Sequence, residues 1–229
     1  MALSKGPGVA KMFDAIADRY DLMNRVMTFG QDRHWKEFVV AKAGDVKGGR
    51  VLDLACGTGE IALLFRRQHP EAQIIGADFS SNMLALAAKR YLAMGIDWHA
   101  CDANRLPYDH DVFQAVSFGY LLRNVDEALT VLKEVHRVLA DGGRVVCLDT
   151  TPPVKNLLYP FIRLYLALII PLLGKLIARD KSAYAYLTGS TMDFHDAETL
   201  AGLFRKAGFR DVAFKKFMFG TIGVHWGTK

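Results

Sequence analysis

The stretch that most limits what this chain can fold into is VLDLACGTGEIA, residues 51–62. A run of β-formers ends in a Gly-x-Gly turn, and a helix-period segment begins immediately after it. That order is the strand, tight loop and helix of a parallel α/β sheet. Gly57 and Gly59 let the backbone turn sharply and approach a ligand closely, while the helix that follows presents unpaired N–H groups. With Ala62 in third position the loop also satisfies G-x-G-x-x-A, so taken alone it leaves a dinucleotide open.

The same alternation continues from 50 to 149. Strands are expected at RVLDLA, AQIIGA, IDWHA, VFQAVSFG and GRVVCLD, and helices at EIALLFRRQH and SSNMLALAAKRYLAM, the second opening on Ser80 and Ser81. VDEALTVLKEVHRVLADGG places Ala128, Leu132, Val135 and Leu139 on one stripe and is expected to stop at Gly142 and Gly143. VSFGYLLRNV, residues 116–125, reads as a buried strand that ends on Arg123 and Asn124. In the tail, DAETLAGLFRKAG is a helix, and VAFKKFMF and TIGVHWG, joined through Gly220, predict an antiparallel hairpin that closes the sheet. The expected organisation is a helical lid over 1–45, a ligand-binding Rossmann-like core over 46–151, an apolar helical insertion forming a substrate lid over 152–195, and a helix with hairpin over 196–229.

Three aspartates select among ligands for the loop. Asp53 lies inside the strand before it, where a carboxylate suits the cationic amino-acid end of a ligand and would repel a pyrophosphate. Asp78 ends the second strand 19 residues after Gly59, in position to accept ribose hydroxyls. Asp102, at the end of the third, is placed for an adenine amino group.

The series LDLACGTG, AD and CDA resembles the class I S-adenosylmethionine-dependent methyltransferases. The resemblance implies an α/β fold, a Rossmann-like, mostly parallel seven-stranded sheet with an antiparallel last strand and helices on both faces. It implies S-adenosylmethionine across the carboxyl edges of the strands, with Asp53, Gly57 and Gly59 at the methionine moiety, Asp78 at the ribose, Asp102 and Ala103 at the adenine, and Ala55, Thr58 and Phe79 among the other cofactor-binding residues. Three further segments are similar to the quinone-biosynthesis C-methyltransferases: YDLMNRVMTFGQDRHWK (20–36), LRNV (122–125), and KSAYAYLTGS, AGFRDV and HWGTK in the final third. On that resemblance the acceptor is a lipophilic prenylated quinol, Arg123 and Asn124 are the pair that stabilises its oxyanion, and Tyr20 and Asp21 are proton-relay members in a lid that includes Asn24. The chain departs from the family pattern at Leu121, Asp149, Asp32 and His195. An NAD-dependent oxidoreductase, a methyltransferase for another phenol and a non-catalytic binding protein are the alternatives.

Composition narrows the setting. The 229 residues allow one generous domain, and the net charge of +5 suits solubility or an anionic surface. Cys56, Cys101 and Cys147 show no C-x-x-C spacing, which argues against a zinc site or disulfide framework, so no metal is expected and a reducing cytosol fits. No signal-peptide core opens the chain, and no basic-aromatic stripe suggests nucleic acid. The greasy stretch 157–178 is interrupted by Pro160, Arg163, Pro171, Gly174 and Lys175 and reads as a poor spanning helix. The expectation is a cytoplasmic enzyme in peripheral contact with the inner face of a membrane, with Arg163, Lys175, Arg179 and Lys181 toward lipid head groups, and compatible with a homodimer.

Overall fold

The computed structural model describes residues 7–178 and 181–229. Two helices, α1 (Pro7–Met27) and α2 (Asp32–Ala43), precede β1 (Arg50–Leu54), α3 (Glu60–Gln68), β2 (Gln73–Asp78), α4 (Ser81–Arg90) and β3 (Ile96–Ala100). Then come β4 (Phe113–Gly119), α5 (Ala128–Val138), β5 (Leu139–Thr150), α6 (Tyr159–Leu164), α7 (Ile170–Leu173), α8 (Lys181–Met192), α9 (Ala197–Lys206), β6 (Arg210–Phe217) and β7 (Ile222–Thr228). The strands form one seven-stranded sheet in the order β3-β2-β1-β4-β5-β7-β6, parallel except for β7, which runs antiparallel to both neighbours.

The near-continuous apolar runs of the central strands follow from burial on both faces. Leu52, Leu54, Val116 and Phe118 pack on one side against α5 and α9 through Val131, Leu132, Val135, Leu200 and Phe204. Val51, Ile74, Ala115, Val146 and Leu148 pack on the other against Trp35, Val39 and Phe65 of α2 and α3. Two-residue alternation puts Asp53 on the Val51 face, under α3. A separate apolar cluster joins α1 to the insertion: Ile16 and Met23 meet Ile170, Ala183, Tyr184 and Leu187.

Ser80 caps α4 as expected, accepting from the Met83 N–H. Three expectations are corrected. The α5 helix stops at Val138, not at the glycine pair, because Leu139 pairs with Phe113 and the ladder shifts register before Ala115 meets Arg144. The fourth strand ends at Gly119, as VFQAVSFG predicts, and does not run on to Arg123 as VSFGYLLRNV reads; Tyr120 turns the chain at φ +58°, and Leu122–Asn124 is a single 3₁₀ turn. Finally, the greasy stretch is not broken by its prolines. One helix runs Tyr159–Ile177, with mean hydropathy 1.8 and only 17% of that window buried, and by length and composition it is long and apolar enough to cross a membrane. Pro160 falls in the first turn, where its missing N–H costs nothing, and Pro171 follows the wide turn Tyr165–Ile169, whose i+5 bonding absorbs the lost donor. Arg179 lies outside the described residues, as does the side chain of Lys181.

Candidate active site

Two cavities meet at the carboxyl edge of the sheet. The larger, about 480 Å³, is lined by the ends of β1, β2 and β4, the loop after β3, and α1. The second, about 320 Å³, lies between α1, the 159–177 helix, α8 and the β6–β7 turn. Tyr20, Asn24 and Tyr120 line both.

In the larger cavity the glycine loop is held from below and left open above. Gly59 has φ +83°, and a Cβ there would fall 2.5 Å from the Trp98 ring, so no other residue fits. Gly57, at φ +54°, has nothing within 4 Å of where a Cβ would be, which leaves its backbone open to a ligand. Its N–H donates to Asp78 Oδ2 at 2.8 Å, and Asp78 Oδ1 accepts from the Ser80 N–H at 2.8 Å. Asp53 accepts from the Ala62 N–H at 3.0 Å and from Ser117 Oγ at 2.9 Å, which fixes α3 to the strand. Asp102 lies two residues past β3 and folds its own turn, accepting from the Asn104 N–H at 2.9 Å. Ala55, Thr58, exposed Phe79 and buried Ala103 complete the predicted set, and all line this cavity.

The electrostatics identify the kind of ligand. Among the described residues, six acidic side chains, Asp21, Asp53, Glu60, Asp78, Asp102 and Asp126, line the cavity against a single ammonium, Lys36. Burial pushes the Asp53 carboxyl up to about 7 despite its two hydrogen bonds, and burial also raises Asp78. A bound cation would relieve both, whereas a pyrophosphate would be repelled. The residue set therefore fits the ammonium and sulfonium charges of S-adenosylmethionine and does not fit NAD.

Sequence reasoning missed Lys36, although it ends the quoted 20–36 segment. Its Nζ donates to Asp32 Oδ2 at 3.0 Å and to Glu60, the first residue of α3. Burial works against this ammonium, but Glu60 and its neighbours hold its pKa above the ordinary lysine value. The lid is latched to the donor loop at a second point, where Thr58 Oγ1 donates to Asp21 Oδ1 at 2.7 Å and Arg90 pairs with the same carboxylate.

The predicted acceptor pair divides between the cavities. Asn124 lines the larger one, and its amide is used within the protein, donating to the Tyr120 carbonyl at 2.7 Å and accepting from Tyr186 Oη at 3.2 Å. Arg123 lines the second cavity. Its Nη1 donates to Thr150 Oγ1 at 3.1 Å and lies 3.4 Å from Asp149 Oδ1, and its guanidinium sits 4.9 Å from the Tyr120 ring centroid. Its Nε is buried with no hydrogen-bond partner among the described residues. Burial raises the Asp149 carboxyl, with Arg123 opposing it, and burial likewise raises the Tyr20 and Tyr120 hydroxyls. The rest of the second cavity is mostly apolar, with Met27, Phe161, Ile162, Leu166 and Ile170 along its length.

An acidic cavity that shares a wall with a mostly apolar one suits transfer of a group between a cationic and a lipophilic molecule. The whole chain, residues 1–229, matches the model of the ubiE/COQ5 methyltransferase family. The chain belongs to that family. It is 66% identical over 227 residues to the ubiquinone/menaquinone biosynthesis C-methyltransferase UbiE of Desulfotalea psychrophila, covering 99% of this chain and 92% of that protein. It is 40% identical to the demethylmenaquinone methyltransferase of Lactococcus lactis, covering 96% and 89%. Among solved structures, a SAM-dependent methyltransferase of Thermotoga maritima superposes with a TM-score of 0.68 at 20% identity, covering 96% of this chain and 99% of that one, which shows the fold. In this chain α1 and the 152–195 insertion lie over the sheet edge that carries the glycine loop.

Proposed function

We propose that this methyltransferase transfers the methyl group of S-adenosylmethionine to a ring carbon of a prenylated quinol in menaquinone or ubiquinone biosynthesis. The observation that carries the reading is the shared wall: Tyr20, Asn24 and Tyr120 separate an acidic cavity from an apolar one whose lining includes the buried Arg123. When bound, S-adenosylmethionine supplies an electrophilic sulfonium methyl. Asp53 and the glycine loop hold the amino-acid end, Asp78 the ribose, and Asp102 with Ala103 the adenine.

In the second cavity the Arg123 guanidinium lowers the pKa of the quinol oxygen by its charge, so that the neighbouring ring carbon becomes nucleophilic. Asp149 offsets part of that charge and fixes the guanidinium, while Tyr120 gives it a flat seat. Arginine holds its own proton, so the hydroxyl proton passes to water, and the hydrogen of the methylated ring carbon afterwards leaves to water as a proton, which restores the aromatic ring. Tyr20, between the cavities, orients the ring, and Asp21, on the donor side, ties α1 to Thr58 and Arg90. Asn124 acts through the Tyr120 carbonyl, holding the partition. The helices of 1–45 and 152–195 serve as two halves of one substrate lid. The protein works in the cytoplasm, in peripheral contact with the membrane that holds its lipophilic acceptor.

The test is deletion of the gene followed by mass spectrometry of the lipid quinones. A quinone lighter by one methyl is expected to accumulate, and an unchanged quinone profile would reject the assignment.

A further inference from the structure

Three large rings stand on the rim of the second cavity, from three separate parts of the chain. Phe29, in the turn between α1 and α2, is 72% exposed; Phe161, on the insertion helix, is 69% exposed; and Phe219, between β6 and β7, is 70% exposed. Each also lines the cavity, so each has one side in it and the other in solvent. Two of them are held in a backbone conformation that bulky side chains avoid, Phe29 at φ +53° and Phe219 at φ +56°, with Met218 beside it at φ +46°. Strained turns usually carry Gly or Asn; here they raise aromatic rings into water, where the rings gain little. From Phe161 an outward stripe continues along the helix through Leu164, Leu168, Leu172 and Leu176, all exposed and spaced three or four residues apart. The exposed charge around the stripe is of one sign. Between residues 150 and 178 every charged side chain is basic: Lys155, Arg163 and Lys175.

We infer that this rim and stripe seat in an anionic lipid bilayer, with Phe29, Phe161 and Phe219 below the head groups, so that the second cavity opens directly into the lipid phase. The occupant is a membrane and not a soluble partner, because a wholly apolar stripe with a basic flank matches acyl chains beneath anionic head groups. The rim then acts as a lateral port: a polyprenyl tail moves from acyl chains to the cavity wall without crossing water, leading the quinol ring to Arg123. The inference rests on the proposed lipophilic acceptor, and it assigns to the strained turns a role beyond the stacking of Phe29 on Tyr165.

The experiment is flotation of the full chain on vesicles of phosphatidylethanolamine with a quarter phosphatidylglycerol, and on neutral phosphatidylcholine vesicles. The unaltered protein is expected to float with the anionic vesicles. The double variant Phe29→Asn/Phe219→Asn relaxes both backbones, since asparagine tolerates positive φ, and is expected to lose at least about tenfold in partitioning, on the order of one ring's burial. Its S-adenosylmethionine affinity, measured by calorimetry, should hold, because neither ring lines the donor cavity. A second variant, Leu168→Ser/Leu172→Ser, tests the stripe away from the cavity and should also weaken flotation. Unchanged flotation in both variants, or none for the unaltered protein, overturns the port. So does a dimer in sedimentation that the same substitutions dissociate, which would make a second copy the occupant. Turnover of a detergent-dispersed demethylated quinol separates the two readings: turnover without flotation sinks the port alone, and flotation without turnover sinks the acceptor assignment.

Discussion

Asp53 should make donor binding depend on pH in a way that can be calculated. Its carboxyl is buried at the floor of the donor cavity and titrates near 7 instead of the ordinary 3.8. A ligand ammonium bound there favours the ionised form, so binding below pH 7 must expel a proton. With the free protein at about 7, roughly nine-tenths of the carboxyls are protonated at pH 6 and one-tenth at pH 8. Apparent affinity should therefore fall about elevenfold from the alkaline limit to pH 6, and about a hundredfold to pH 5. Titration calorimetry with S-adenosylhomocysteine at pH 6, in two buffers of different ionisation enthalpy, reads the proton directly as a difference in heat. Asp53→Asn removes the slope, since a neutral amide has no proton to lose.

The same shift acts on folding in the opposite sense from a salt-bridged aspartate. Between pH 3.8 and 7 the unfolded chain has already lost this proton and the folded chain keeps it. Stability of the ligand-free protein thus declines as pH rises through that window and levels off above it, by on the order of 4 kcal/mol as an upper bound. Urea melts of Asp53→Asn should lack that decline. Identical heats in the two buffers at pH 6, or an unchanged pH slope in Asp53→Asn, would refute both the site and the sign.

Other substitutions probe the junction. Arg123→Ala strands the buried Asp149 carboxylate and should cost about 3–5 kcal/mol in a chemical melt, whereas Arg123→Met/Asp149→Leu should recover most of that stability and none of the turnover. Lys36→Met leaves Asp32 and Glu60 with only the half-exposed Arg25, at 3.5 and 3.7 Å, as their cation, so donor affinity and melting temperature should fall together, the latter by an amount equivalent to about 1–3 kcal/mol. Tyr120→Phe keeps the ring under the Arg123 guanidinium and should stay within about 0.5 kcal/mol of the parent, while Tyr120→Asn relieves the positive φ but opens the partition, raising the acceptor KM at least about tenfold in steady-state assays.

The parts of this molecule that were legible in sequence are those in which one short segment does the work. The loop at Gly57 and Gly59 needs only its own strand and helix, and each of Asp53, Asp78 and Asp102 follows from being at or near the end of a strand whose β-rich run is visible. The hairpin after Gly208 was legible for the same reason. What was hidden depended on partners distant in the chain. Leu139 continues the helical stripe of α5, and only Phe113, across the ladder, draws it into the sheet. Lys36 is an unremarkable helix lysine until Glu60, 24 residues away, is placed against it. Arg123 was found by residue type yet misplaced, because nothing local shows that Tyr120 will turn the strand early and carry the guanidinium round to the far side of the partition. The unreadable residue and the misread one lie at the same junction, and there Tyr120 holds a strained backbone against the donor cavity on one side and the acceptor cavity on the other. Local preference and observed structure disagree most where two binding sites must share one wall, which is where a methyl group has to cross.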